Sequence, residues 1–187
     1  NGDIDENRAS FYLTRHFTSK RLPVPTLVAI SACETYYLVS DLGNQSLFDE
    51  IVKTNWNIAG NESIKVLIRK TIKSLVDFQI DGAKGIDYKI CYPQQAFDRQ
   101  TIMWDLNYFK YCFLKPTGIV FHEAKLEDDF NTLASYLLTA PSDFFMYRDF
   151  QSRNVMVVDN SPYFIDYQGG RKGPCLYDIA SFLYQAR

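Results

Sequence analysis

The apolar positions change their period along the chain, and each change marks an element. Over residues 6–20, Phe11, Leu13 and Phe17 recur on one face. Acidic residues crowd the start, where the helix dipole favours negative charge, so the pattern predicts a helix. Leu22-Pro23-Val24-Pro25 ends it, because a proline disfavours helical backbone in the residue before it. Residues 26–31 and 35–40 are rich in Val, Ile and Tyr and read as two short strands joined tightly around Cys33-Glu34. Asp41-Leu42-Gly43-Asn44 is a turn, and Ser46 caps a short predicted helix reaching residue 52.

From residue 61 the spacing becomes three and four. Ile64, Ile68, Ile72, Leu75, Val76 and Gln79 recur along a helix that stops at Asp81-Gly82, and Lys65, Lys70 and Lys73 belong to its solvated side. A second helix is predicted over 98–114, with Ile102, Leu106, Phe109 and Phe113 in one stripe. A third is predicted over 126–139, with Leu126, Phe130, Leu133 and Leu137 in register and Glu127, Asp128 and Asp129 in its first turn. After Pro141 the helical period ends. Phe144-Phe145-Met146-Tyr147 and residues 154–158 are strand-like, and the polar segment 148–153 separates them. A turn at Asp159-Asn160-Ser161-Pro162 leads back through Tyr163-Phe164-Ile165 to Asp166. A loop with Gly169, Gly170 and Gly173 then precedes a last helix from 176 to Arg187. Strands and helices are segregated along the chain, which predicts an α+β fold rather than a doubly wound α/β one.

Composition narrows the class. A chain of 187 residues with 47% hydrophobic side chains can bury a core, and its length suits one domain or one with an incomplete second lobe. Twenty basic against 22 acidic residues give a net charge of −2, which carries no electrostatic footprint for nucleic acid or an acidic membrane. The apolar runs are far shorter than the ~18 residues that a membrane span needs. Cys33, Cys91, Cys112 and Cys175 form no CxxC pair, and His16 and His122 are the only histidines, which argues against a Cys/His metal site. The four cysteines read as reduced core residues of a cytoplasmic protein. The start is acidic and polar, unlike a secretory leader, and has no initiator Met, as expected of a fragment.

The chemistry concentrates near the C-terminal end. Asp149 and Asn154 sit on the polar loop between two strands, and Asp166 ends the returning strand of a hairpin that would bring it beside Asn154. One carboxylate and one amide oxygen there suit a hard divalent cation, which takes oxygen ligands and keeps waters and phosphates in its shell. Asp149, five residues before Asn154, would then stand near the metal as a base or orienting group for an attacking hydroxyl.

Tyr147-Arg148-Asp149, Asn154 and Asp166-Tyr167-Gln168 together resemble the catalytic and metal loops of the protein-kinase-like superfamily. They are closer to its aminoglycoside phosphotransferase and choline kinase branch than to protein kinases, since Gln168 stands where protein kinases carry a loop glycine and no Ala-Pro-Glu segment occurs. Tyr37-Leu38-Val39-Ser40-Asp41-Leu42-Gly43 looks like the strand and hinge against which that superfamily places adenine. Phe97-Asp98-Arg99, Trp104-Asp105-Leu106 and Tyr177-Asp178-Ile179-Ala180 look like segments of the kinases that phosphorylate N-acetylmuramate and N-acetylglucosamine at the anomeric hydroxyl.

The resemblance implies a partial β-containing small lobe over 1–43 and a mainly helical large lobe over 44–187. It implies a small-molecule kinase that uses ATP and Mg2+, with an amino sugar as the first choice of acceptor. Asp149 would be the base or orienter, with Arg153 beside the transferred phosphoryl group, and Asn154 and Asp166 the magnesium ligands. Asp41 and Leu42 would lie at the nucleotide hinge, and Glu6 would be the acid that pairs with a phosphate-binding lysine. Asp105, Gln151 and Gln168 would face the acceptor, and Asp178 would brace the catalytic loop. No GxGxxG motif occurs, and no strand lysine precedes the first helix. The chain is therefore expected to carry only part of the small lobe. A catalytically incomplete, pseudokinase-like binding module is the alternative, as is an aminoglycoside- or choline-type kinase.

Overall fold

In the computed structural model, which describes residues 3–54 and 61–184, the segregation of strands and helices predicted from the sequence is present. The first helix, α1 (Ile4–Ser19), is capped by Asp3, whose carboxylate accepts from the backbone N–H groups of Asp5 and Glu6. Leu13 and Phe17 on its inner face are fully buried. Asn7 and Thr14 are buried too, and each makes a distant bond: Asn7 Nδ2 donates to Glu34 O at 2.8 Å, and Thr14 Oγ1 lies 2.7 Å from Tyr167 Oη. One helix is thereby tied both to the small sheet and to the loop that follows Asp166.

Strands β1 (Leu27–Ile30) and β2 (Tyr37–Val39) form an antiparallel pair, with Leu27 opposite Val39 and Ile30 opposite Tyr37. A connection runs from there to α2 (Leu47–Lys53), where Ser46 and Asp49 make a reciprocal capping box. Val157 N donates to Gln45 O at 2.8 Å and Ser46 bridges Met156, so this connection is stitched to the strand around residue 157.

Helix α3 (Glu62–Asp77) continues into a π-helical turn, Phe78–Gly82, and α4 (Arg99–Phe109) into another, Lys110–Leu114. Helix α5 (Glu123–Leu137) begins three residues before its predicted start, because His122 Nδ1 accepts from Lys125 N–H and caps it. Glu123 therefore holds the first turn, and Glu127, Asp128 and Asp129 lie beyond it. The predicted apolar stripes of these two helices are buried only in part. Ile102, Phe130 and Ala134 are buried, whereas Phe109, Phe113, Leu133 and Leu137 reach solvent. The cysteine expectation also changes: Cys91 is buried, but Cys33 and Cys112 are exposed.

Strand β3 (Phe144–Met146) pairs antiparallel with β6 (Arg171–Gly173), a strand that the glycine-rich reading of that segment missed. Strands β4 (Val155–Val158) and β5 (Ser161–Phe164) form the predicted hairpin, with Val155 opposite Phe164 and Val158 opposite Ser161. The last helix, α6, spans Leu176–Tyr184, and its predicted continuation to Arg187 lies outside the described residues.

The core behind the site is aromatic. Phe17, Phe78, Phe145, Tyr147, Phe150 and Phe164 are fully buried, and most of their contacts are edge-to-face. Such pairs contribute roughly 0.5–1.5 kcal/mol each beyond area burial, and they fix ring orientation, which suits a floor on which loops must be placed. Among the described residues, no helix is long and apolar enough to cross a membrane.

Candidate active site

The polar segment after β3 is held from below. Asp178, fully buried in the first turn of α6, accepts from Tyr147 N–H and Arg148 N–H at 2.9 Å each and from Gln79 Nε2 at 2.9 Å. Burial pushes its carboxyl up to about 6 even though those three bonds favour the charged form. Tyr147 Oη donates to Ile165 O at 2.6 Å, which links this segment to the strand that ends at Asp166. Arg148 and Asp166 both have positive φ, 83° and 68°. For residues with a Cβ this is strained backbone, retained only where the surroundings over-determine it.

The hairpin register delivers the predicted juxtaposition. Ile165 N donates to Asn154 O, and Asn154 Nδ2 donates to Asp166 Oδ2 at 3.1 Å and to Asp149 O at 2.9 Å. Because the amide nitrogen makes both bonds, Oδ1 is the oxygen that Asn154 can offer to a cation. One amide oxygen and one carboxylate do not make an all-protein cage, and among the described residues no three His, Cys, Asp or Glu side chains form one. The pair fits Mg2+ held jointly with substrate phosphates, the usual mode for that ion. Asp149 itself reaches the surface, but partial burial, and then the charge of Asp166, hold its carboxyl above the ordinary carboxylate value, against the pull of Arg148 and Arg171.

Two clefts flank these residues. One, of about 500 Å³, lies between α1, β2 and the Asp166 loop, and Glu6, Tyr37, Val39, Asn154, Asp166 and Gln168 are among its lining residues. Gln168 bonds to Asp166 Oδ1 at 2.8 Å and to Glu6 Oε1 at 3.4 Å, which places it on the α1 side of the site. The other cleft, of about 340 Å³, is lined by Pro93, Thr101, Trp104, Asp105, Tyr108, Arg148 and Arg171. Here Asp105 takes a bidentate pair from Arg148, whose guanidinium also lies over the rings of Phe97 and Tyr177.

The remaining candidates fall as follows. Arg153 packs its guanidinium over Phe48 of α2, 4.4 Å from the ring centroid. Gln151 accepts Asn154 N–H through its backbone carbonyl and leads into the short turn that carries Asn154. Asp41 accepts Gly43 N–H in a turn between β2 and α2, and Leu42 is half-buried beside it. Arg148, Gln79 and Thr14 are the contributors that sequence reasoning missed. Arg148 was visible inside the Tyr-Arg-Asp motif, but Gln79 and Thr14 act across 99 and 153 residues and leave no local signal.

The fold is the protein-kinase-like fold of the aminoglycoside phosphotransferases. The chain superposes on an ADP-bound aminoglycoside phosphotransferase with a TM-score of 0.62 at 13% identity, over 94% of this chain and 59% of that one. On the apo form of a thermostable mutant of another, the TM-score is 0.60 at 18% identity, over 97% and 62%. In sequence the chain is 28% identical over 167 residues to the N-acetylmuramate/N-acetylglucosamine kinase of Neisseria meningitidis serogroup B, covering 87% of this chain and 46% of the relative. The chain thus spans about half the length of the curated relative that it matches. No protein-family profile matches it.

Proposed function

We propose that this chain carries the catalytic and cation-binding half of an ATP- and magnesium-dependent phosphotransferase that acts on a hydroxyl group of an amino sugar. The observation that carries the reading is that the Asn154 amide joins the Asp166 carboxylate across the β4–β5 hairpin to the backbone of Asp149, whose carboxyl lies near enough to feel the Asp166 charge. Asn154 Oδ1 and Asp166 would hold Mg2+, which when bound supplies positive charge to the nucleotide phosphates. Asp149 would accept or orient the proton of the attacking hydroxyl, and a carboxyl held above its ordinary pKa is the better base for that task. Catalysis in such a site rests mainly on positioning, and the Asp178 brace beneath Tyr147 and Arg148 serves it.

The cleft beside Arg148 supports the choice of acceptor. Trp104 and Tyr108 offer aromatic faces to a sugar ring, and Arg148 and Arg171 offer donors to its oxygens. Two guanidinium groups against a single carboxylate, already paired, make a poor lining for a polycationic aminoglycoside. The test is transfer of labelled γ-phosphate from ATP to N-acetylmuramate, N-acetylglucosamine, choline and kanamycin. Transfer to an amino sugar, lowered by a factor of about 10²–10⁴ in Asp149→Asn while nucleotide binding persists, is expected. Absence of magnesium-dependent nucleotide binding would overturn the reading and leave a binding module of the same fold.

A further inference from the structure

We propose that Gln168 is a positioning residue, which acts on the cation site through Asp166 and couples that site to α1. The inference rests on the assignment of Asp166 as a magnesium ligand made above. The Gln168 amide nitrogen sits between two carboxylates and donates to Asp166 Oδ1 at 2.8 Å and toward Glu6 Oε1 at 3.4 Å. Asp166 Oδ2 receives its own donor, Asn154 Nδ2, at 3.1 Å. Each oxygen of Asp166 is therefore fixed by one amide, which sets the rotation of the carboxylate and leaves a second lone pair on each oxygen for other ligands.

The backbone around Gln168 is built to deliver this side chain. Tyr167 before it is buried, with its hydroxyl 2.7 Å from Thr14 Oγ1 on α1. Gly170 after it lies so close to Phe145 that a Cβ there would come within 2.2 Å of Phe145 Cζ. Residue 168 is thus held at the join between the Asp166 loop and the helix that carries Glu6. The chemistry of the donor matters as well. A lysine could reach both carboxylates, but it would cancel the negative potential that attracts a cation. A neutral amide orients the carboxylates and leaves that potential in place.

Gln168→Met tests this, because it keeps length and bulk and removes both N–H donors. Nucleotide binding is measured by calorimetry over a magnesium series and in EDTA, and amide hydrogen exchange is followed at residues 5–9 and 165–168. The variant is expected to need about tenfold more magnesium for half-maximal binding, as for the loss of an outer-sphere orienting partner. Binding in EDTA should stay within about twofold of wild type, and the probed amides should exchange faster. A merely structural role would weaken binding equally with and without magnesium, and that result, or an unchanged magnesium dependence, overturns the proposal. If the wild-type protein shows no magnesium-dependent nucleotide binding, the functional reading fails. The positioning claim is then decided by exchange alone: faster exchange at both segments supports it, and unchanged exchange overturns it.

Discussion

Removing the charge of Asp178 should change how stability depends on pH. Asp178 is fully buried and accepts three hydrogen bonds, yet burial, with Asp149 adding repulsion, raises its carboxyl from an ordinary 3.8 to about 6. Between those values the folded protein holds a proton that the unfolded chain releases. Stability from this group is therefore greatest below pH 3.8, falls as pH rises to 6, and is constant above it. Two units correspond to about 3 kcal/mol at 1.36 kcal/mol each. Asp178→Asn keeps the shape and cannot titrate. Its amide turns an N–H toward a backbone N–H of Tyr147 or Arg148, a mismatch of about 1–3 kcal/mol that does not vary with pH. Urea denaturation of both proteins from pH 4 to 7.5 isolates the carboxyl as a difference. Wild type should gain about 2.4 kcal/mol on the variant as pH falls from 7 to 4, most of the full effect. Parallel curves would refute the argument, since they would mean that Asp178 stays ionised throughout. Phosphoryl transfer should move the opposite way on acidification, because a protonated Asp178 has lost an acceptor that holds the catalytic loop.

Three further substitutions probe the frame around the site. Gly170→Ala must push a Cβ into Phe145, which is fully buried between Phe17 and Tyr147 and cannot yield, so the denaturation midpoint should drop by the equivalent of at least about 2 kcal/mol; an unchanged midpoint would show that the ring moves. Thr14→Val leaves the buried Tyr167 hydroxyl without its partner and should cost about 1–3 kcal/mol, much of it regained when Tyr167→Phe is added; strict additivity of the two would show that the contact carries no coupling. Asp105→Asn weakens the fork that holds Arg148 beside Arg171. Both partners retain some solvent contact, so stability should fall by only about 1–2 kcal/mol, while transfer falls more than tenfold because Arg148 sets the backbone of Asp149; full activity in this variant would remove Asp105 from the site's support.

Much of this was legible in the residues because it is local. The helices follow from three–four spacing, and Ser46 caps the end expected of it. The Asn154–Asp166 meeting follows from counting residues around a two-stranded hairpin. The failures have a common physical origin in tertiary context. A 3.6 period identifies an amphipathic helix but does not say how far its neighbour extends, so Phe109 and Phe113 continue a stripe past the part of α4 that α5 covers. Strand β6 carries two glycines at or beside its ends, and a pattern rule reads them as a loop. What makes it a strand is β3 alongside, where Met146 packs so closely that Gly173 has no room for a Cβ. His122 shows that a cap can come from a residue outside the usual Ser, Thr, Asp and Asn set.

The electrostatic design of the site lies in how its carboxylates are spaced. Glu6, Asp166 and Asp149 come from positions far apart in the sequence and would repel one another if they met directly. An amide stands at each junction: Gln168 between Glu6 and Asp166, and Asn154 between Asp166 and the backbone carbonyl of Asp149. Amides donate hydrogen bonds without contributing net charge, so the Asp166 and Glu6 carboxylates are oriented and the Asp149 backbone is held while the group as a whole stays anionic. The guanidinium groups of Arg148 and Arg171 bond to Asp105 and to Gly169 O rather than to the row itself, and their charge offsets only in part the burial and the Asp166 repulsion felt by Asp149. The proposed function, a site that attracts a divalent cation and places a carboxylate near a hydroxyl proton, needs both conditions at once. Burial alone would achieve the opposite, because a desolvated carboxylate takes up a proton, as Asp178 begins to do near pH 6. The acids are therefore separated by depth: Asp178 lies inside, where burial raises its carboxyl to about 6, and Asp149 and Asp166 reach the surface, with the Asp166 carboxylate set by the neutral donors Asn154 and Gln168.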